Sequence, residues 1–325
     1  MNINSDSSNP FAEVTLSVRP LFSEFRKYLA KQAASFEPEV RNAAKEAILP
    51  EGKYIRPALV FVSAAGCADK KSVVRRAAIA ELVHLSTLIH DDVIDCAQLR
   101  RNRETANKKY GAKTAILLGD AIFSHMMTLA FEENDMEVLR KTAKCVRTIC
   151  EGEIKQTLAD SSKTVSRKKY YDIAYGKTAA LFELACALGA SAGNPPKGWE
   201  TAASQAGKQL GIAYQIYDDV CDWFMSEADA GKTLGTDLIT GKQTYPLIIL
   251  LEKLSAAESK KLAANLPCSS PEKIAEQMRR LNIAADCAKE FRRRVDAAEK
   301  ILKNFPNENA GLLKFCAAMR GLKVG

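Results

Sequence analysis

Apolar residues recur at three- and four-residue spacing almost from one end of this 325-residue chain to the other, and the period-two alternation of half-buried strands is nearly absent. That pattern restricts the fold class to all-α, a bundle of amphipathic helices. The spacing predicts helices over residues 13 to 34, 38 to 48, 56 to 66, 72 to 99, 112 to 133, 136 to 159, 167 to 192, 199 to 225 and 242 to 254, with shorter pieces to 322. Breaks fall at Pro50-Glu51-Gly52, at Gly66-Cys67, at Gly193-Asn194-Pro195-Pro196 and between Gly231 and Gly241. None has the length or the Ser/Gly- or Pro-rich composition of a linker, so residues 13 to 325 are expected to form one helical domain behind a flexible tail, residues 1 to 12.

A hydrophobic content of 47% is enough for a substantial core. The nine cysteines, odd in number and without a CxxC pair, suit reduced thiols better than a disulfide framework. The polar start MNINSDSSNP has no basic region followed by an apolar one, and no run of about 18 apolar residues follows. A cytoplasmic protein is expected. The net charge of +8 favours anionic partners, but aromatic residues make up only 7% and the basic residues form no stripe, which argues against nucleic acid.

One short pattern occurs twice. Asp91, Asp92 and Asp95 in "LIHDDVIDCAQLRR" have the same spacing as Asp218, Asp219 and Asp222 in "GIAYQIYDDVCDW". On a helix, positions i and i+4 lie about 6 Å apart on nearly one face, so each trio would repel itself unless something neutralised it. A hard divalent cation such as Mg²⁺ does so, taking oxygen ligands while bridging to phosphate. One such trio reads as a solvated acidic patch. Two, each set among apolar residues, read as metal ligands facing each other across a cavity.

Basic residues accompany both patches. Arg100 and Arg101 follow the first; Lys232 and Lys242, each preceded by glycine, follow the second; Lys53 and Arg56 stand at the start of a helix whose first turn holds Pro57. Grouped in this way they would attract phosphate.

With these residues in place, the chain resembles the trans-type isoprenyl diphosphate synthases, the head-to-tail polyprenyl synthase family. The resemblance runs from about residue 50 to 250 through "GKYIRP", "HDDVID", "LRRNRET", "GEIKQ", "GKTAAL", "YQIYDDVCD", "GKTLGTDL" and "GKQTYPL". It implies an all-α homodimer of the isoprenoid-synthase type, each subunit built around a central cavity. The two aspartate trios would hold about three Mg²⁺ ions against the diphosphate of an allylic substrate. Arg100, Lys177, Lys232 and Lys242 match residues that contact that diphosphate; Lys53, Arg56, His84 and Arg101 match the pocket for isopentenyl diphosphate; Thr178 and Gln215 match polar groups beside the developing carbocation. Cys96, Asn102, Glu104 and Tyr214 depart from the family pattern. Asn102 and Glu104 lie in the loop presenting Arg101 and bear on affinity for isopentenyl diphosphate.

The family's short-chain members place an aromatic residue four or five positions before the first aspartate. Here Thr87 and Ser86 stand there, so an open channel and a product of about C30 or above are expected, with a floor from Met126, Met127 or Phe131. So long a product would be released beside a membrane. Three other readings compete. His90-Asp91 could be the metal dyad of a helical phosphohydrolase, though only His84 and His125 remain as further imidazoles. A terpene cyclase shares the fold but normally mixes Asn, Ser or Thr with Glu in its second metal motif. A regulatory subunit would show eroded ligands, and all six aspartates are present. Gly152, inside a predicted helix, costs roughly 1 kcal/mol relative to Ala and points to close helix packing.

Overall fold

The computed structural model describes residues 10–50, 52–100, 103–158, 165–224, 242–266 and 269–324. Its secondary structure is almost wholly helical. Helix α1 (Ala12–Ser17) gives way to α2 (Arg19–Ala34) at Val18, whereas the sequence predicts one helix from 13 to 34. Pro20 is the reason: it lacks the N–H that would continue the ladder and is tolerated only in a first turn. Then follow α3 (Pro38–Ile48), α4 (Ile55–Ser63) and α5 (Lys70–Ile94), whose Asp69 cap accepts from the backbone of Lys71 and Ser72. Next come α6 (Ala106–Tyr110), α7 (Ala112–Glu132), α8 (Met136–Thr157), α9 (Arg167–Ala174), a π-helical turn (Tyr175–Ala179), α10 (Ala180–Ala190) and α11 (Trp199–Phe224). The chain ends with α12 (Tyr245–Lys253), α13 (Ala256–Ala264), α14 (Pro271–Arg280), α15 (Ile283–Leu302) and α16 (Ala310–Arg320).

Helices α5, α10 and α11 form the centre. Every residue of α10 except Glu183 is buried. It packs on α4, α5 and α11; α5 packs on α7, and α11 on α15. Buried apolar side chains from Val14 to Val324 join one core.

The predicted helix over 72 to 99 stops earlier, and its ending shapes the site. Cys96 has φ +51°, its N–H donates to the Val93 carbonyl, and the Ala97 N–H donates to the Asp92 carbonyl. This is a Schellman ending, in which a left-handed residue turns the chain and satisfies the last carbonyls. Beyond it, Leu99–Arg100 pairs antiparallel with Arg103–Glu104, a short ribbon just past the end of the predicted helix. The turn at 95–97 thus ends the aspartate helix and brings Arg100 back towards it.

Two buried ionic clusters hold the outer parts together. Arg76 on α5 donates to Glu133 and Asp135 (both 3.0 Å), to the Leu188 carbonyl (3.1 Å) and to Ser191 Oγ (2.9 Å), joining α5 to the α7–α8 turn and the end of α10. On the other side, Glu290 of α15 accepts from Tyr171 (2.8 Å), Arg293 (2.6 Å) and Arg294 (2.8 Å). Burial pushes the Glu290 carboxyl up, but these donors outweigh it and hold it at about 2. A carboxylate depressed in the folded state adds stability that is present above its unfolded value and lost as pH falls towards 2. Glu290→Gln should therefore lower the thermal midpoint at pH 7, a loss of roughly 2 kcal/mol, and the gap from wild type should close between about pH 4.5 and 2. A gap unchanged across that window in thermal melts would contradict this account.

Candidate active site

Helical phase divides each aspartate trio into two roles. At about 100° per residue the first and last carboxylates share a face and the middle one turns away from it. Asp92 and Asp219, the middle members, are each only 5% exposed, whereas Asp91, Asp218 and Asp222 are half-buried and Asp95 is exposed. Each middle aspartate is held by protein donors. Arg100 Nε donates to Asp92 Oδ1 at 2.7 Å, and Asn107 Nδ2 donates to the Asp92 carbonyl at 3.3 Å. Asp219 accepts from the Tyr170 hydroxyl (2.8 Å), the Tyr245 N–H (2.9 Å) and Gln215 Nε2 (2.7 Å). The outer members are less buried.

The chain beyond the second motif returns to the first. Lys242, which follows the second in sequence, places Nζ 2.8 Å from Oδ1 of Asp95 in the first. The π-turn between α9 and α10 lies between them: Thr178 donates from its hydroxyl to Gln215 Oε1 on α11, while the charge of Lys177 acts on Asp91 of α5. Gly152 of α8 makes this placement possible. A Cβ on Gly152 would stand 3.0 Å from the Gly176 Cα, and one on Gly176 would stand 2.9 Å from the Gly152 Cα. The two backbones touch at a point where side chains have no room, which is the close packing that a mid-helix glycine predicts.

Electrostatics mark the site as built for a cation. Burial pushes the Asp91 carboxyl up to about 6, with Glu153 and Asp95 adding to it against Lys177 and Arg100. Burial also raises Asp92 despite Arg100. Carboxylates driven towards neutrality by burial and by one another regain charge when a divalent ion joins them. The donors are carboxylate oxygens, the chemistry that Mg²⁺ or Ca²⁺ takes, although among the described residues no three of them already stand together as a metal-binding group.

Other expected residues fall into place unevenly. Lys53 is exposed just before α4, and Arg56 sets its guanidinium 5.4 Å from the Phe182 ring. His84 is half-buried on α5, seven residues before Asp91. Arg101, Asn102 and Lys232 lie outside the described residues. Ser86 is 3% exposed and donates to the Val83 carbonyl, and Thr87 donates to the His84 carbonyl. Met126 is fully buried and Met127 packs against the core, but Phe131 is 66% exposed and forms no floor. Five residues past Met126, it points about 140° away on the same helix. His90 turns to α7, with Nε2 3.2 Å from the Ile116 carbonyl and 3.3 Å from Asp120, and His125 bonds Gln32. The phosphohydrolase dyad is therefore not formed.

Four site residues escaped the sequence reading: Tyr170, Glu153, Gly176 and Asn107. Glu153 and Gly176 had a signal, since they stand inside "GEIKQ" and "GKTAAL", and the glycines that open these two motifs, Gly152 and Gly176, meet. Tyr170 had none, because its partner lies 49 residues away.

The sequence profile of the polyprenyl synthetase family matches residues 37–283. Among curated relatives, an all-trans-nonaprenyl-diphosphate synthase (geranyl-diphosphate specific) of Rhodobacter capsulatus is 34% identical over 234 residues, 71% of each chain. A prenyl transferase of Cyanidium caldarium is 30% identical over 259 residues, 78% of each. Among solved structures, a polyprenyl synthase from Caulobacter crescentus complexed with calcium and isoprenyl diphosphate superposes with a TM-score of 0.88 at 26% identity, covering 99% of this chain and 100% of that one. A decaprenyl diphosphate synthase from Rhodobacter capsulatus gives 0.85 at 26% identity, covering 96% and 99%. The repeated aspartate motif on α5 and α11, the lysine-bearing turn bonded to α11 and a profile match across most of the chain lead to one conclusion: this chain belongs to the polyprenyl synthetase family of prenyltransferases.

Proposed function

We propose that the protein condenses isopentenyl diphosphate head to tail with an allylic diphosphate in a Mg²⁺-dependent reaction, giving an all-trans product of about C30 or above. The observation that supports this reading is the ion pair of Lys242 with Asp95 together with the bond of Thr178 to Gln215, which link the chain beyond the second motif to the first and the lysine-bearing turn to α11. Asp91, Asp95, Asp218 and Asp222 would hold the metal, about three ions by family resemblance, with Asp92 and Asp219 supporting them from behind. Bound there, Mg²⁺ supplies charge neutralisation to the allylic diphosphate as pyrophosphate departs. Lys177, Lys242 and Arg100 add positive charge where the leaving oxygens gather, a fixed field that needs no reorganisation during the step. Thr178 and Gln215, locked to each other, direct their dipoles at the allylic cation. The double bond of isopentenyl diphosphate, held by Lys53, Arg56, His84 and Arg101, then attacks it, and a proton leaves with pyrophosphate as acceptor.

The chain-length part rests on Ser86 and Thr87. Both side chains are small and turn their hydroxyls back to their own helix. Ser86→Phe should shorten the product by two or more five-carbon units, read by mass analysis; an unchanged product would refute the open-channel idea. The subunit arrangement we propose is a homodimer in the cytoplasm, with peripheral membrane contact for product release. Ile116, Leu117 and Phe131 are 44%, 58% and 66% exposed on α7, an apolar face that a second copy would cover.

The test is incubation with isopentenyl diphosphate, Mg²⁺ and geranyl, farnesyl or geranylgeranyl diphosphate, followed by mass analysis. Elongated diphosphates are expected. Cyclic hydrocarbons would favour a cyclase, and no turnover would favour a regulatory subunit.

A further inference from the structure

We propose that Tyr170, acting with the Gly152–Gly176 contact, is a positioning element that sets the spacing of the two aspartate motifs through the π-turn carrying Lys177 and Thr178. This deepens the reading above and rests on it. In a regular α-helix, at about 100° per residue, Tyr170 and Thr178 would point roughly 80° apart. The π-turn at Tyr175–Ala179 holds one extra residue and takes back about that much rotation, so both side chains face α11. There they meet Asp219 and Gln215, one helical turn apart and themselves bonded at 2.7 Å. Thr178, Gln215, Asp219 and Tyr170 thus form a buried chain of hydrogen bonds that ties the α9–α10 helix to α11 on both sides of the turn.

Lys177, inside that tied segment, is close enough for its charge to act on Asp91 of α5. Its distance from the first motif is set from behind by α8, where Gly152 and Gly176 leave no room for a Cβ. Tyr170 is 4% exposed, and its ring packs 5.0 Å from that of Tyr245, whose N–H also donates to Asp219. Tyr170 therefore orients a carboxylate between the two outer ligands of the second motif without touching substrate. Partners of this kind, one bond behind a metal ligand set, typically govern metal affinity by 10- to 100-fold.

The experiment uses the full chain with Tyr170→Phe and Gly152→Ala. It measures calorimetric binding of Mg²⁺ with inorganic pyrophosphate, KM for each substrate, and the thermal midpoint. Tyr170→Phe should weaken Mg²⁺–pyrophosphate binding about 10-fold and raise KM for the allylic diphosphate, while KM for isopentenyl diphosphate stays at the wild-type value. Gly152→Ala should act in the same direction and more strongly, because the added methyl displaces Lys177. Wild-type binding by Tyr170→Phe, or equal rises in both KM values alongside a lower melting point, would overturn the proposal and leave the prenyltransferase reading standing. A wild-type protein that binds no Mg²⁺–pyrophosphate would overturn that reading, and this proposal with it.

Discussion

Asp91→Asn is expected to lower kcat by about 10³-fold, the upper scale for losing one preorganised group that stabilises developing charge, because the metal Asp91 would hold is what neutralises the departing pyrophosphate. The substitution keeps the shape of the side chain and removes only its charge. The same change should not cost stability in the metal-free protein. Asp91 is ionised there at the expense of burial and of the neighbouring Glu153 and Asp95, and a neutral amide escapes that cost. Turnover assays and thermal melts together are therefore informative. Wild type should melt higher on addition of Mg²⁺ with pyrophosphate, whereas Asp91→Asn should melt at or above the metal-free wild type and gain little from the ligand. A variant within tenfold of wild-type turnover would remove Asp91 from the ligand set.

The second large effect concerns the fold. Arg76→Met should destabilise the protein by about 3–5 kcal/mol, because it strips the partner from buried acids. The Arg76 and Glu133 side chains are 7% and 2% exposed, and Asp135, which also caps α8, loses the same cation. Arg75 still reaches Glu133 at 2.8 Å, but from a more exposed position. Urea denaturation would show a lower midpoint at unchanged slope, and the loss should persist in high salt because the cluster is screened little. A loss below about 1 kcal/mol would mean that the cluster relaxes around the missing charge.

These effects indicate what could and could not be read from the linear chain. The helices carrying the aspartates were legible because their apolar periodicity is strong, and the trios stood out because like charges at i and i+4 demand a neutralising partner. That Asp92 and Asp219 turn inward was also implicit in the helical repeat. Their partners were not. Tyr170 and the Tyr245 N–H reach Asp219 only after the chain has folded, and Lys242 meets Asp95 across 147 residues. The pairing of Leu99–Arg100 with Arg103–Glu104 was hidden because helix-compatible residues continue past Asp95; the turn there depends on Cys96 adopting a left-handed conformation that composition does not announce. The π-turn was likewise invisible, since nothing in "YGKTA" differs from an ordinary helical pentapeptide until Gly152 is brought against it. Phe131 shows the converse: its hydrophobicity suggested an inward position, and its angular offset from Met126 put it outside.

Because α5 stops at Ile94 with Asp95 as its terminal cap, the negative pole of a 25-residue helix opens at the same mouth as the outer carboxylates. Peptide dipoles cannot be titrated or mutated away, and they contribute the equivalent of about half an electron at that point. On the reading proposed above, an unescorted polyanion would be repelled there even with individual aspartates neutralised, and a diphosphate would enter chiefly as an electrically compensated pair with its counter-ion.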